Sequence, residues 1–261
     1  MPSFRSILYR ATLPFIGLPL VGLMIASPLL AQEQTRRPDL QLELGAAWQE
    51  RNKVQIPNTA AADRFQLDTI AGNGPWTSGR VTVNWPLRGR HGLRLVLAPL
   101  AYEEESLLTE DIRFAGGEFD SSAPVQAEYK FNSWRFGYHY QFYAANNWQL
   151  RIGATAKIRD ARIELSQGAV NAEDDDVGFV PLLHLSGDYQ FNPRWSFHFD
   201  FDGLAGGPGR AFDLGLRLAW AVNDNWRLGV GYRGLEGGVD NDDVYNFAWF
   251  NSALVTAEYR F

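Results

Sequence analysis

The chain has 261 residues, with 24 basic and 30 acidic side chains, a net charge of −6 and no cysteine. That length fits one closed all-β domain, and the lack of cysteine excludes a disulfide framework, a thiolate metal site and a cysteine nucleophile. Its 25 glycines, 9 tryptophans, 10 tyrosines and 17 phenylalanines, on a mildly polar mean hydropathy, exclude a helical membrane protein.

At the start of the chain, Arg5 and Arg10 precede an uncharged apolar run from Ala11 to Ala31, and Leu29-Leu30-Ala31 then meets polar Gln32. A positive flank, an apolar run and a small residue before a polar one describe an export signal, cleaved after residue 31. A retained membrane helix is the competing reading, weakened by Pro14, Pro19 and Pro28, each of which removes a helix hydrogen bond. Residues 32–261 are then the mature domain. They contain no second uncharged run near the roughly 20 residues a membrane helix needs, so a membrane-embedded mature chain must be a barrel.

From Asp39 onward the dominant signal is alternation with period two. Strands are predicted over Leu40–Trp48, Arg80–Leu87, Leu93–Tyr102, Trp134–Phe142, Trp148–Ile158, Pro181–Phe191, Trp195–Asp202, Phe212–Trp220, Trp226–Arg233 and Tyr245–Phe261. Each fits the roughly 9–11 tilted residues that cross a bilayer as a strand. Short connections at 88–91, 144–147, 192–194 and 223–225 alternate with long ones at 51–78, 103–122, 166–178, 203–210 and 235–244. Short inner turns and longer outer loops are the pattern of a bacterial membrane barrel with both termini on the periplasmic side.

Three turns share a repeat: Asn146-Asn147-Trp148, Asn192-Pro193-Arg194-Trp195 and Asn223-Asp224-Asn225-Trp226. Asn, Asp and Pro suit a turn backbone, and the tryptophan falls where an aromatic belt meets the headgroups. A fourth match, Asn132-Ser133-Trp134, lies inside a long strand where the alternation changes phase, and is read as a bulge.

Periodicity leaves open which face points outward, since a soluble lipocalin-like barrel or sandwich would turn the same apolar face inward. Glycines on the mixed face (Gly45, Gly137, Gly153, Gly215, Gly229, Gly231) suit a crowded narrow lumen, and aromatics gather at strand ends. The last five residues, Ala257-Glu258-Tyr259-Arg260-Phe261, alternate and stop on phenylalanine. That segment resembles the carboxy-terminal strand of bacterial outer-membrane barrels. The resemblance implies that Tyr259 and Phe261 form part of the signal read by the barrel-assembly machinery. The expected fold is an all-β, membrane-spanning antiparallel up-and-down barrel of about ten strands in the outer membrane of a Gram-negative bacterium, surrounded by lipid and lipopolysaccharide.

The mixed face holds Arg80, Arg94, Arg135, Arg151, Lys157, Arg217, Arg227 and Arg260 against Glu43, Asp188, Asp200, Asp202, Asp213 and Glu258. Confined charges of both signs must pair or keep water, which predicts a salt-bridged network filling the lumen. A narrow charge-lined pore for ions or small solutes is the sharper alternative. His198, Asp200 and Asp202 share one strand face, and His184 with Asp188 the next, so a base with an orienting acid is conceivable. Omptin proteases carry an Asp–His and an Asp–Asp pair near the external rim, but no paired acids stand on an early strand here. Lipid A deacylases use a His–Ser pair near the carboxy terminus, and no histidine follows His198. Catalysis is therefore not expected.

Three acidic stretches, 103–120, 173–176 and 236–243, contain Arg113 as their only basic residue. Nucleic acid is disfavoured as a partner because phosphates need the opposite sign. Divalent cations at these loops are conceivable, with Asp240-Asn241-Asp242-Asp243 the best candidate, but solvated charge is the simpler reading and no metal site is assigned. Gly203–Arg210 lacks the Lys-Ser/Thr ending and following helix of a phosphate loop, and reads as a hairpin connection. No cofactor is implied. The expected role is structural or at the surface, with a charged, narrow or closed lumen; a narrow channel or an outer-membrane hydrolase are the alternatives.

Overall fold

The computed structural model describes residues 37–261, so the predicted export signal lies outside the described residues. The strands are β1 (Asp39–Gln55), β2 (Phe65–Gln66), β3 (Trp76–Pro86), β4 (His91–Ala98), β5 (Ala101–Leu107), β6 (Ile112–Phe114), β7 (Gly117–Phe119), β8 (Pro124–Ala145), β9 (Trp148–Gln167), β10 (Val170–Gln190), β11 (Trp195–Gly206), β12 (Gly209–Ala221), β13 (Trp226–Asp240) and β14 (Tyr245–Arg260), with one helical turn, α1 (Leu67–Ile70). Neighbours pair antiparallel and β14 closes on β1 from Asp39↔Arg260 to Gln55↔Tyr245. Because β5 continues β4 beyond a break at Pro99, the closed wall has ten staves.

The short turns at the lower end explain the Asn repeats. Asn146 and Asn147 both adopt positive φ, 51° and 66°, as a two-residue hairpin demands. Asn192 Oδ1 accepts from the amides of Arg194 and Trp195 at 2.9 and 3.0 Å, and Asn223 Oδ1 does so from Asn225 and Trp226 at 3.0 and 2.8 Å. Asn241 repeats the device at an upper turn, accepting from Asp243 and Val244, so the Asp240–Asp243 segment is a tight turn.

Below the level of Trp134, Ile158 and Phe179 the polarity of the wall is inside out. Leu44, Leu95, Phe136, Ile152, Leu183, Leu218, Val230 and Val255 face outward and are exposed, while Glu43, Arg94, Arg135, Thr155, His184, Asp213 and Arg233 are buried. An exposed aliphatic belt around a charged interior is stable only against lipid. Trp85, Phe142, Phe191, Trp195, Trp226 and Phe261 ring its lower edge and are exposed, as an interfacial aromatic girdle is. This is a membrane-spanning antiparallel barrel.

Above that belt the polarity inverts while the backbone does not. Along β8 the inward residues are Ser133, Arg135 and His139 below but Val125, Ala127 and Tyr129 above, all buried and all at odd positions. The predicted bulge at Asn132-Ser133-Trp134 is corrected: pairing with β9 runs unbroken through Asn132↔Asp160, Ser133↔Arg159 and Trp134↔Ile158. The apolar phase flips there because the outside medium changes from lipid to water. Register shifts occur instead between Gln141 and Tyr143 on β8 and between Gln49 and Arg51 on β1.

Most of the predicted long loops are therefore strand. The segment predicted as a loop at 166–178 is β9 and β10 joined at Gly168-Ala169, and 203–210 and 235–244 are similarly consumed by hairpins. The extended strands have charged outer faces, with Lys130–Asp160 and Arg162–Glu173 pairs, and enclose an ordinary apolar core. Into it fold the β6–β7 hairpin, with Ile112, Phe114 and Phe119, and α1, whose Leu67 and Ile70 share one side of the turn. They pack with Val54, Tyr129, Ile163, Leu165 and Phe250 from the wall.

Strands approach closely where side chains are missing. A Cβ on Gly153 would overlap the carbonyl oxygen of Tyr138 on the neighbouring strand, whereas one on Gly206 would meet nothing within 4 Å. Gly153→Val is expected to cost more than about 3 kcal/mol and abolish the heat-modifiable folded band on electrophoresis, while Gly206→Ala leaves that band unchanged.

Candidate functional site

The lumen is the site on which the charged residues converge, and strand periodicity puts them there. Arg80, Arg94 and Arg135 come from β3, β4 and β8 on one wall; Asp200, Asp202 and Asp213 come from β11 and β12 on the other. Asp213 accepts from Arg80 at 3.0 Å, Arg135 at 2.5 Å and Arg233 at 2.5 Å. Asp202 accepts from Arg94 and Arg135, both at 2.8 Å, from the Thr155 hydroxyl at 3.0 Å, and faces His184 Nδ1 at 2.8 Å. Asp200 meets Arg94 at 3.0 Å and Arg233 at 3.2 Å, and Arg233 also holds Glu43 at 2.9 Å. Guanidinium groups spread over several carboxylates offset the desolvation of a buried charge by charge-assisted bonds in low dielectric. These bonds cross the lumen and tie its walls together.

A second group lies nearer the lower mouth. Asp188 pairs with Arg151 and with His198 Nδ1, each at 2.6 Å. Glu258 takes Arg217 and Arg260 at 2.8 Å and Arg227 at 3.8 Å. It is wetter than the first: the Asp188 and Arg260 side chains are 29% and 35% exposed, against 0% for Asp202.

All fourteen predicted lumen residues, from Arg80 to Arg260, face inward, and all but Lys157 fall into these two groups rather than one network. Lys157 joins neither by an ion pair among the described residues; its ammonium lies 4.6 Å from the centre of the Phe131 ring and stands opposite Arg135 in register. Two features escaped the sequence. Arg233, the most connected cation, stands outside the predicted lumen set although it continues the odd-numbered series Arg227, Gly229, Gly231 on β13. The histidine partners are exchanged between strands: stagger sets His198 opposite Asp188 and His184 opposite Asp202. Tyr259 and Phe261 stand in the lower girdle, their rings 5.1 Å apart and Tyr259 4.9 Å from Trp226.

Both histidines complete a hydroxyl–imidazole–carboxylate chain. Ser196 Oγ lies 2.8 Å from His198 Nε2, and Ser186 Oγ lies 3.1 Å from His184 Nε2. The resemblance to a nucleophilic triad stops at the hydroxyls. Ser196 is 2% exposed and Ser186 9%, and the surrounding strand amides are spent in the ladder, leaving no pair of free donors for an oxyanion. As built, the chains fix imidazole orientation. No group of three or more metal-ligating side chains occurs among the described residues.

No family model matches the sequence, and no curated protein matches it. Among solved structures, the outer membrane protease OmpT from Escherichia coli superposes with a TM-score of 0.51 at 11% identity, covering 87% of this chain and 98% of that one. Ail of Yersinia pestis, at TM-score 0.36 and 11% identity, covers 86% and 99%. The Pseudomonas putida toluene transporter TodX, at 0.35 and 10%, covers 86% and 90%. The likeness to OmpT is one of fold: a closed antiparallel outer-membrane barrel.

Below that level the chain goes its own way. Its four histidines are His91, His139, His184 and His198, and all lie at or below the charged storey. The upper storey, which has the long connections, contains none. Its ionisable groups there are solvated or paired, as in Arg113 holding Asp63 at 2.7 Å, which keeps the Asp63 carboxyl below its usual range.

Proposed function

We propose that the chain is a closed outer-membrane barrel of a Gram-negative bacterium, with a structural or surface role, no catalytic activity and an acidic external rim. The observation that carries this reading is the double obstruction of the lumen, by the cross-wall ion pairs of Asp202 and Asp213 and, above them, by the buried apolar core around Phe114 and Phe119. A water-filled pore needs a continuous polar path, and a layer of fully buried phenylalanine and leucine interrupts one. The apolar belt supports a membrane location, and the aromatic end of β14 supports recognition of Tyr259 and Phe261 by the assembly machinery. The absence of histidine from the rim and the burial of Ser186 and Ser196 support a non-catalytic role.

Planar-bilayer recording tests the closure. The purified chain is expected to give no stable conductance steps. Steps whose ion selectivity changes in Arg151→Gln or Arg217→Gln would establish the narrow channel instead.

A further inference from the structure

The wall is not laddered all the way round. Pairing between β3 and β4 ends at Val81↔Leu97, and above it Trp76–Arg80 pairs only with β1 while β5 pairs only with β8. A seam therefore opens beside Pro99 at the level of Trp134, Ile158 and Phe179, the top of the apolar belt. Open strand edges are not tolerated in hydrocarbon but are in the hydrated headgroup layer, so the seam begins where lipid headgroups begin. Its outer positions are small or polar: Thr77, Gly79, Ala101 and Glu103. Higher up it is bridged by side chains, with Trp76 stacked on Tyr102 at 3.8 Å and its indole N–H donated to Glu104.

Behind the seam lies a cavity of about 50 Å³, walled by Ser78, Arg80, Leu100, Phe131 and Ser252 among others. Among the described residues of the two lumen groups, Arg80 is the arginine whose unpartnered donors are buried. Its side chain is 5% exposed and Nη1 binds Asp213, while Nε and Nη2 have no partner. Arg135 and Arg233 each use all three of their nitrogens. The carboxylates at this cavity, Glu43 and Asp213, are already held by Arg233 and by three arginines respectively. Around them the basic side chains of Arg80, Arg94, Arg135, Arg233 and Lys157 stand with the carboxylates of Glu43, Asp200, Asp202 and Asp213.

We propose that this cavity is a binding site for one phosphate group, held by the free edge of Arg80 and by the hydroxyls of Ser78 and Ser252, and reached through the β3–β5 seam. A volume of about 50 Å³ equals roughly four waters, enough for a phosphate and too little for an acyl chain. The group is either free phosphate or the headgroup of an anionic lipid whose chains stay outside. The site does not depend on whether the lumen conducts.

Two measurements on the full chain in zwitterionic micelles distinguish the sources: calorimetric titration with inorganic phosphate, and native mass spectrometry after doping the micelles with phosphatidylglycerol. One equivalent is expected in at least one arm, and the arm that binds names the source. Arg80→Met is expected to weaken it at least tenfold. Ser252→Leu, which fills the cavity and leaves every charge in place, does the same by a route that does not disturb Asp213. No binding in either arm, or binding that survives both substitutions, overturns the site and leaves a cavity filled by water.

Discussion

Arg233→Ala is expected to destabilise the barrel by about 3–5 kcal/mol, the range for removing one partner from a buried ion pair. Arg233 donates to Glu43 through Nε and Nη2 at 3.1 and 2.9 Å, to Asp213 at 2.5 Å and to Asp200 at 3.2 Å. The carboxylates are not left equally exposed to its loss. Asp213 keeps Arg80 and Arg135, and Asp200 keeps Arg94. Among the described residues Glu43 keeps a hydrogen bond from the Gln41 amide and its register neighbour Arg80, but no ion pair, and its side chain is 4% exposed, so it becomes a poorly compensated charge in low dielectric. Most of the loss therefore resides on Glu43. Adding Glu43→Gln should recover at least half of it, because a neutral amide bears a smaller desolvation penalty. Arg260→Ala, from a 35% exposed side chain at the lower mouth, should cost no more than about 1 kcal/mol. Reversible urea unfolding into vesicles measures all three. Equal losses at Arg233 and Arg260, or no recovery from the second substitution, would show that the cluster is screened by water and does not brace the walls.

The membrane-embedded part was legible because lipid on one side and a crowded lumen on the other impose strict alternation. That placed every stave and the Asn-led turns, and set fourteen lumen side chains on one face. The upper storey was not legible for the same reason. Above Trp134 water replaces lipid outside, so apolar side chains move to the inner face without any change in backbone. In the sequence this looks like a slipped register at Asn132–Trp134, and charged outer positions such as Glu173 look like loop. A rule that expects the apolar phase to flip at the upper belt would have extended β8, β9 and β10. The odd-number parity of β13 was sufficient to find Arg233. Partner choice was different in kind: which acid each histidine meets depends on the stagger between β10 and β11, which no single strand encodes.

That inversion makes a second large effect predictable. Phe114→Ala is expected to cost about 3–5 kcal/mol and Phe136→Ala about half as much, although the second ring faces outward in the middle of the belt. Phe114 is 0% exposed and meets Phe65 edge-on at 5.8 Å. Its removal forfeits the transfer of the ring from water and leaves a cavity among Ile112, Phe119 and the β8 wall, which a strand framework fills only in part. Phe136 is 56% exposed on the protein alone, and the missing contact there is lipid. Truncating it gives up the transfer term of about 1.5–3 kcal/mol, but acyl chains flow into the space, so no cavity term is added. The sites should also differ in what opens. Phe114→Ala loosens the upper storey first, exposing 108–123 to protease while the embedded belt keeps its resistance to heated detergent, whereas Phe136→Ala lowers that resistance and leaves the upper segments protected. If the two substitutions cost the same and expose the same segments, the medium outside the upper strands is not water, and the assignment of the belt's upper edge to Trp134, Ile158 and Phe179 fails.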